Sequence, residues 1–444
     1  MTIRRRTAPH RTDRRPRSGA RTALTAAVAA LALAAPAAVA SSPAWAGMRH
    51  SGVVGERPVG WTPHVLDGRV KAVLPVGDLV VVAGRFDRVT GPDRRGSVER
   101  HNVFAFERGT GEISRFFTPD VDGTVTSLVP GPYRGTVFLG GHFRRVEGED
   151  RRGVALVSTF DGETVESFDA RVAGGSVYRI DAHGRDLYLG GTFRSVGGAD
   201  RRGLARVDAA TGRVDPGFDI GISDARRGSL RVHELAAGPD GDRLVIAGTF
   251  TRVDGRPRYQ IAMVDTAARP AALAEFSTDS YAAPCDYSRM HTYMRQIDFA
   301  PDGSYFTVVT AGGPKLKPGL CKTVARWETR AGADAEPTWV NYTGGDSLYS
   351  VEATGAAVYV GGHQRWMDNP EGDHAAGPGA VKRSGIAAVD PRTGRALAWN
   401  PGRRPRGHGV EALTATPEGL YIGSDTTGLG GTYRGRLGMF PLNG

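Results

Sequence analysis

Leu187-Tyr188-Leu189-Gly190-Gly191-Thr192-Phe193 decides the fold, because it recurs. An apolar β-run closed by Gly-Gly or Ala-Gly, then an aromatic, returns as Val81-Val82-Ala83-Gly84-Arg85-Phe86, Phe138-Leu139-Gly140-Gly141-His142-Phe143 and Val245-Ile246-Ala247-Gly248-Thr249-Phe250. Degenerate copies follow at Val308 to Gly312, Val358-Tyr359-Val360-Gly361-Gly362 and Leu420-Tyr421-Ile422-Gly423, seven copies in all. Runs of this length and composition read as strands. A recurrence every 40–60 residues or so marks propeller blades, units that bury their faces only by stacking on neighbours.

Two further registers carry the same count. Ahead of each run stands a segment with apolar residues three apart: Val70/Val73, Val125/Leu128, Val177/Ile180, Val232/Leu235, Met294/Ile297, Leu348/Val351 and Val410/Leu413. In a regular strand such positions face opposite sides, so both faces are expected to be apolar, as in an inner strand between two blades. The third register is an aromatic: Trp61, Phe117, Phe168, Phe218, Phe276, Trp339 and Trp399. Trp61 precedes the first inner strand, and only Arg436-Leu437-Gly438-Met439-Phe440 follows the last run. The expectation is therefore an all-β, single seven-bladed β-propeller over residues 47–444, its last blade closed by the N-terminal strand around Trp61. Closure of that kind removes exposed sheet edges.

Leu189-Gly190-Gly191-Thr192-Phe193, followed by Gly203-Leu204-Ala205-Arg206-Val207-Asp208, resembles the delta-60 type repeat of secreted bacterial β-propeller proteins. Tyr293 to Phe306 and Val358 to Gly379, with Gly361-Gly362-His363-Gln364-Arg365-Trp366-Met367, are similar to secreted actinobacterial proteins. The resemblance spans nearly all of the chain after its leader. It implies a propeller and export; it brings no activity and no catalytic residues. The fifth unit departs from the pattern, losing the Gly-x-Phe anchor and gaining a cysteine-bearing insertion.

Residues 1–46 read as a secretory signal peptide. Eight arginines precede the Ala/Leu/Val stretch Ala23 to Ala40, and Ala38-Val39-Ala40 and Ala44-Trp45-Ala46 offer cleavage after Ala40 or Ala46. Arg14-Arg15 leaves a twin-arginine route open beside the general one. The leader accounts for +7 of the formal net charge of +10, leaving +3. The basic balance is thus no argument for nucleic acid. The expected localisation is extracellular or cell-wall associated, with no stable membrane anchor after cleavage. The two cysteines, Cys285 and Cys321, are expected to pair in an oxidising compartment. No CxxC or His/Cys cluster calls for a metal, the insertion Tyr281 to Tyr293 offers no matched copper ligand set, and no cofactor is implied.

Candidate chemistry sits where loops between the second and third strands meet the starts of the inner strands. A loop of the form V-x-G-x-D-R-R-G recurs, bringing Arg94, Arg95, Arg151, Arg152, Arg201 and Arg202 into one arc. Guanidinium pairs suit bidentate capture of carboxylate or phosphate. The plain alternative is pairing with Asp93, Asp150, Asp200 and nearby acids. A second set follows the first apolar residue of each inner strand: Lys71, Thr126, Tyr178, His233, Arg295, Tyr349 and Glu411. These either bind a polar ligand or run acid–base chemistry at a channel mouth, or simply line a wet channel. Trp366, with His363 and His374, is a further candidate for stacking on a sugar or for packing. Two functions follow: a binding or scaffold module for an anionic cell-wall polymer, glycan or protein, or a secreted carbohydrate-active enzyme at the channel mouth. Fold does not choose between them.

Overall fold

The protein was analysed as a computed structural model that describes residues 48–285, 290–312 and 319–442. The leader and its cleavage sites lie outside the described residues. Those residues belong to one compact unit, are all-β with a propeller-like arrangement, and include no helix.

Their framework is a succession of antiparallel meanders. The first runs Arg69–Val76, Leu79–Arg85, Val103–Glu107; the second Thr124–Pro130, Thr136–His142, Val154–Ser158; the third Val177–His183, Asp186–Gly191, Leu204–Asp208. The fourth runs Val232–Ala237, Arg243–Gly248, Ile261–Asp265, Ala272–Leu273, and the fifth Met294–Phe299, Tyr305–Thr310, Thr323–Glu328, Trp339–Tyr342. Leu348–Ala353, Val358–Gly362, Ile386–Val389 form the sixth, and Val410–Thr416, Gly419–Ser424, Leu437–Pro441 the seventh. Where a meander shows only three strands, an isolated bridge marks a rudimentary fourth: Phe106 to Ile113, Val157 to Thr164, Val207 to Val214 and Val389 to Ala396. The seventh meander takes its bridge from the other end of the chain, Val54 to Leu442. Gly55 and Val59 extend the pairing by donating to the carbonyls of Pro441 and Met439, both at 2.8 Å.

Each inner strand carries a β-bulge at one position. Val177 pairs with Gly191 and Arg179 with Gly190, leaving Tyr178 unpaired. The same break leaves Lys71, Thr126, His233, Arg295, Tyr349 and Glu411 unpaired in the other meanders. This corrects the expectation that residues three apart face opposite sides. The extra residue restores the phase, so both members of a pair point the same way. Val177 and Ile180 share one core cluster, and so do Val232 and Leu235, Met294 and Ile297, and Val410 and Leu413. The glycine of the repeat has the same origin. A Cβ on Gly191 would stand 2.1 Å from the Ser176 carbonyl oxygen, and one on Gly84 or Gly248 equally close to that of Arg69 or Arg231.

The core lies between successive meanders. Val129, Phe138 and Leu156 of the second pack with Val177, Ile180 and Leu189 of the third, all buried. Each such side chain contributes roughly 1.5–3 kcal/mol relative to exposure. The aromatics Phe117, Phe168, Phe218 and Phe276 are fully buried; Trp339 and Trp399 nearly so. Neighbouring inner strands are also tied by polar contacts. Thr126 Oγ1 donates to Tyr178 O (2.8 Å), Ala237 N to Asp181 Oδ2 (2.8 Å), and Ala415 N to Glu352 Oε1 (3.0 Å). Thr414 Oγ1, in the last inner strand, donates to Val73 O in the first (2.8 Å).

Cys285 and Cys321 form a disulfide, with Cα atoms 5.8 Å apart and a separation of 36 positions in sequence. It joins the insertion before the fifth inner strand to the segment leading into Thr323–Glu328, beside Tyr281, Tyr293 and Trp327. In the chain-entropy account a loop of this size is worth about 3–4 kcal/mol. Cys285→Ser with Cys321→Ser is expected to lower the urea midpoint accordingly. An unchanged midpoint in the double variant would show that the insertion is held by packing alone.

Candidate functional site

A cavity of about 510 Å³ opens at the start of the inner strands, and every bulged residue lines it: Lys71, Thr126, Tyr178, His233, Arg295, Tyr349 and Glu411. A bulge turns two consecutive side chains toward the same side. Arg179, Glu234 and Gln296, each following a bulged residue, therefore line the cavity as well. His142, Arg231, Met290, His291, Thr292 and His408 complete the wall.

The charges divide into paired and unpaired groups. Glu411 accepts from Arg69 Nη1 at 2.9 Å and from Lys71 Nζ, with His408 Nε2 at 3.5 Å. Burial alone would raise its pKa, but Lys71, His408 and Arg69 hold it below the usual glutamate range, so it is a carboxylate. Glu234 faces Arg179 Nε at 3.4 Å, yet burial outweighs that cation and lifts its pKa to about 7. His233 is pushed well below its ordinary value by burial and then by Arg295, Arg231 and Lys71, so its ring is neutral at neutral pH. Among the described residues, Arg231 and Arg295 have no carboxylate within ion-pair distance.

Aromatic rings form two walls. Tyr178 lies edge-on to His142 (centroids 4.5 Å apart) and tilted against His233 (5.7 Å), with the Arg231 guanidinium 5.4 Å above its centroid. Arg231 Nη1 donates to the Tyr178 hydroxyl at 3.1 Å. Tyr349 stacks on His408 at 4.6 Å, and its hydroxyl lies 3.2 Å from His363 Nδ1.

The arginine loops occupy the same end of the meanders, since each follows the second strand and returns to the bulge, but none of their arginines lines the cavity. Arg151 and Arg201 are largely covered and pair with Glu149 (2.8 Å) and Asp219 (3.2 Å). Arg152 and Arg202 each meet the preceding aspartate, Asp150 or Asp200, at 3.4 Å. Arg95 stands 3.9 Å from Asp93, and Arg94 lies over the Tyr433 ring. Exposed pairs of this kind contribute about 0–1 kcal/mol each. Trp366 is half-buried in the short strand Trp366–Met367, with the Arg365 guanidinium 4.4 Å over its ring, and lies outside the cavity. His374 sits 4.0 Å from Asp346, apart from it too.

Sequence reasoning named the bulged residues but missed Arg179, Glu234, Arg231, His142 and His408. The first two were legible once a bulge is allowed for, because the residue after each named position also turns inward. His142 fills the variable place of a Gly-Gly-x-Phe anchor, and Arg231 directly precedes an inner strand.

No protein-family profile and no curated protein sequence matches the chain. Solved structures do. A chain of the mitotic checkpoint complex is similar over 89% of this chain and 98% of its own length, with a TM-score of 0.51 and 12% identity. A computationally designed protein, Ika8, is similar over 85% of this chain and 97% of its own, with a TM-score of 0.46 and 12% identity. At such identity the first likeness speaks to the propeller-like fold alone.

Proposed function

We propose that this chain is a secreted, extracellular binding protein of the delta-60 repeat kind, a seven-bladed propeller whose central cavity receives a segment of a glycan or cell-wall saccharide. The seven-blade reading is supported by one bulge per meander and by the contact of the last inner strand with the first. The pairing of Val54, Gly55 and Val59 with Leu437–Pro441 supports closure by the N-terminal segment. Export is supported by the leader and by the disulfide.

The observation that carries the ligand reading is the bulge itself. It places seven side chains of mixed polarity in one concavity whose volume falls in the range of small-ligand sites, roughly 300–1,000 Å³. Tyr178 and Tyr349 supply flat apolar faces for a sugar ring, and the surrounding donors and acceptors suit hydroxyls. Screening against an array of neutral and acidic oligosaccharides, followed by calorimetric titration, tests this. Tyr178→Ala and Tyr349→Ala should each weaken binding by about tenfold. Absence of saccharide binding, or binding indifferent to both substitutions, would sink the reading and turn attention to a protein partner. A second reading, carbohydrate hydrolysis, is favoured by one fact: Glu234 and Glu411 line one cavity with pKa values pushed apart, the pattern of an acid and a carboxylate partner. Release of shorter products in the same assay, lost in Glu234→Gln, would identify it.

A further inference from the structure

We infer that the cavity seats one oxyanion, a carboxylate or phosphate carried by the saccharide, between Arg231 and Arg295. This rests on the binding reading above and specifies its ligand.

Four cations line the cavity against two carboxyl groups, and the pairing is uneven. Lys71 is committed to Glu411 and Arg179 to Glu234. Arg231 and Arg295 are instead held by groups that carry no negative charge, and both bear on a single segment, Met290 to Thr292. Arg295 Nη1 donates to the Thr292 and Met294 carbonyls (3.0 and 2.6 Å), with Nη2 3.7 Å from Met290 Sδ. Arg231 Nη2 meets His291 Nδ1 at 2.6 Å and its Nη1 the Tyr178 hydroxyl. Carbonyls, a phenol and a thioether orient two guanidinium groups without cancelling their charge.

A second, independent observation points the same way. Two buried polar atoms in this wall, outside the Arg179–Glu234 ion pair, have no hydrogen-bond partner among the described residues: Arg231 Nε and His233 Nδ1. Such groups are costly to leave unmade. An oxyanion accepts from Arg231, while a sugar hydroxyl beside it, both donor and acceptor, matches His233 Nδ1 in either tautomer. A cationic ligand would meet Lys71, Arg231 and Arg295 at once. His233 and His142, held below their ordinary pKa first by burial and then by neighbouring cations, register the same positive field.

The test is calorimetric titration of the mature chain at fixed pH and ionic strength with four probes: glucuronate, glucose 6-phosphate, inorganic phosphate and glucose. Glucuronate and glucose 6-phosphate should bind and glucose should not, with affinity falling as salt rises. Binding of one acid sugar alone assigns carboxylate or phosphate, and inorganic phosphate reports how far the oxyanion suffices without the ring. Arg231→Gln and Arg295→Gln should each weaken the acid sugar on the order of ten- to a hundredfold. Arg231→Lys, which keeps charge and shape close, should recover part of the loss and serves if the glutamine variant melts early. Glucose binding as tightly as glucuronate would overturn the inference while leaving the binding reading intact. So would acid-sugar binding that survives both glutamine variants but is lost in Arg151→Ala with Arg152→Ala. No binding of any probe, together with a silent oligosaccharide array, would end both.

Discussion

Removing residues 48–60 is expected to destabilise the protein by at least about 4 kcal/mol and to broaden its melting transition. The segment completes the seventh meander and fastens it to the sixth. Val54 is buried; its N–H donates to the Tyr359 hydroxyl at 2.9 Å and its backbone bridges Leu442. Trp399 Nε1 donates to Gly55 O, and His50 Nε2 lies at hydrogen-bonding distance, 2.9 Å, from Thr416 O. Without them the strand Leu437–Pro441 becomes a sheet edge with unpaired carbonyls beside an uncovered apolar cluster of Leu413, Ile422 and Phe440. Val54→Pro is the milder form, removing one N–H and one bridge, and should cost about 2–3 kcal/mol. Differential scanning calorimetry of the chain starting at Trp61 decides it. A single sharp transition at the original temperature would show that the N-terminal segment is an ornament on a fold that stands without it.

The repeat was legible because its cause is local and steric. Gly84, Gly191 and Gly248 recur where the inner-strand carbonyl approaches too closely for any Cβ, and Phe86, Phe193 and Phe250 recur because each fills a buried place. The bulge was not legible as a bulge. Val177/Ile180 and its counterparts were read with a strict period of two, which gives the right strand with the wrong facing. A bulge leaves no residue type behind; it shows only as a phase shift in the apolar pattern. Where the repeat decays, the structure supplies a substitute. Thr310 takes the glycine place in the fifth meander, with its Oγ1 donating to Leu320 O at 2.6 Å next to the disulfide. The charge partition was illegible for another reason: Arg152 with Asp150 is a neighbour effect visible in sequence, whereas Glu411 with Arg69 and Lys71 joins residues some 340 positions apart.

The same phase shift explains why one strand builds two polar layers. The bulged residue faces the cavity at one end, joined in three strands by its successor, Arg179, Glu234 or Gln296, and the fourth residue beyond the first apolar position faces the interior again. Those fourth positions are Leu74, Val129, Asp181, Ala236, Asp298, Glu352 and Thr414, and all line a second cavity of about 140 Å³. Cations outnumber carboxyl groups in the first layer, and the second gains Asp181, Asp298 and Glu352; in the third and fifth inner strands Arg179/Asp181 and Arg295/Asp298 set the two kinds of charge two or three residues apart, roughly 7–10 Å of strand.

Between about pH 5 and 8 three buried carboxyl groups are therefore expected to withdraw stability on the order of 3 kcal/mol, against the opposite contribution of His233, His142 and His408, whose lowered pKa values add stability over the same interval. Asp181, Asp298 and Glu352 are the groups responsible. Burial raises all three pKa values, and mutual repulsion adds to the rise: Asp181 acts on Asp298, and Asp298 on Glu352. Opposing them are Arg179, which faces all three, and His183, which faces Asp181. Each carboxyl also accepts a backbone N–H from the next inner strand, of Ala237, Ala353 and Ala415. These contacts moderate the shift without reversing it. The folded chain thus keeps protons that the unfolded chain has released above the ordinary carboxylate range. The stability these carboxyl groups contribute is full below that range and declines as pH climbs through the raised values, opposite to the usual salt-bridged aspartate. Asp298→Asn keeps an oxygen to accept the Ala353 N–H but cannot ionise. It should leave stability at pH 5 nearly unchanged, raise it at pH 8 and flatten the profile between. Urea midpoints of the two proteins across that interval measure the difference, and parallel profiles would remove Asp298 from the account.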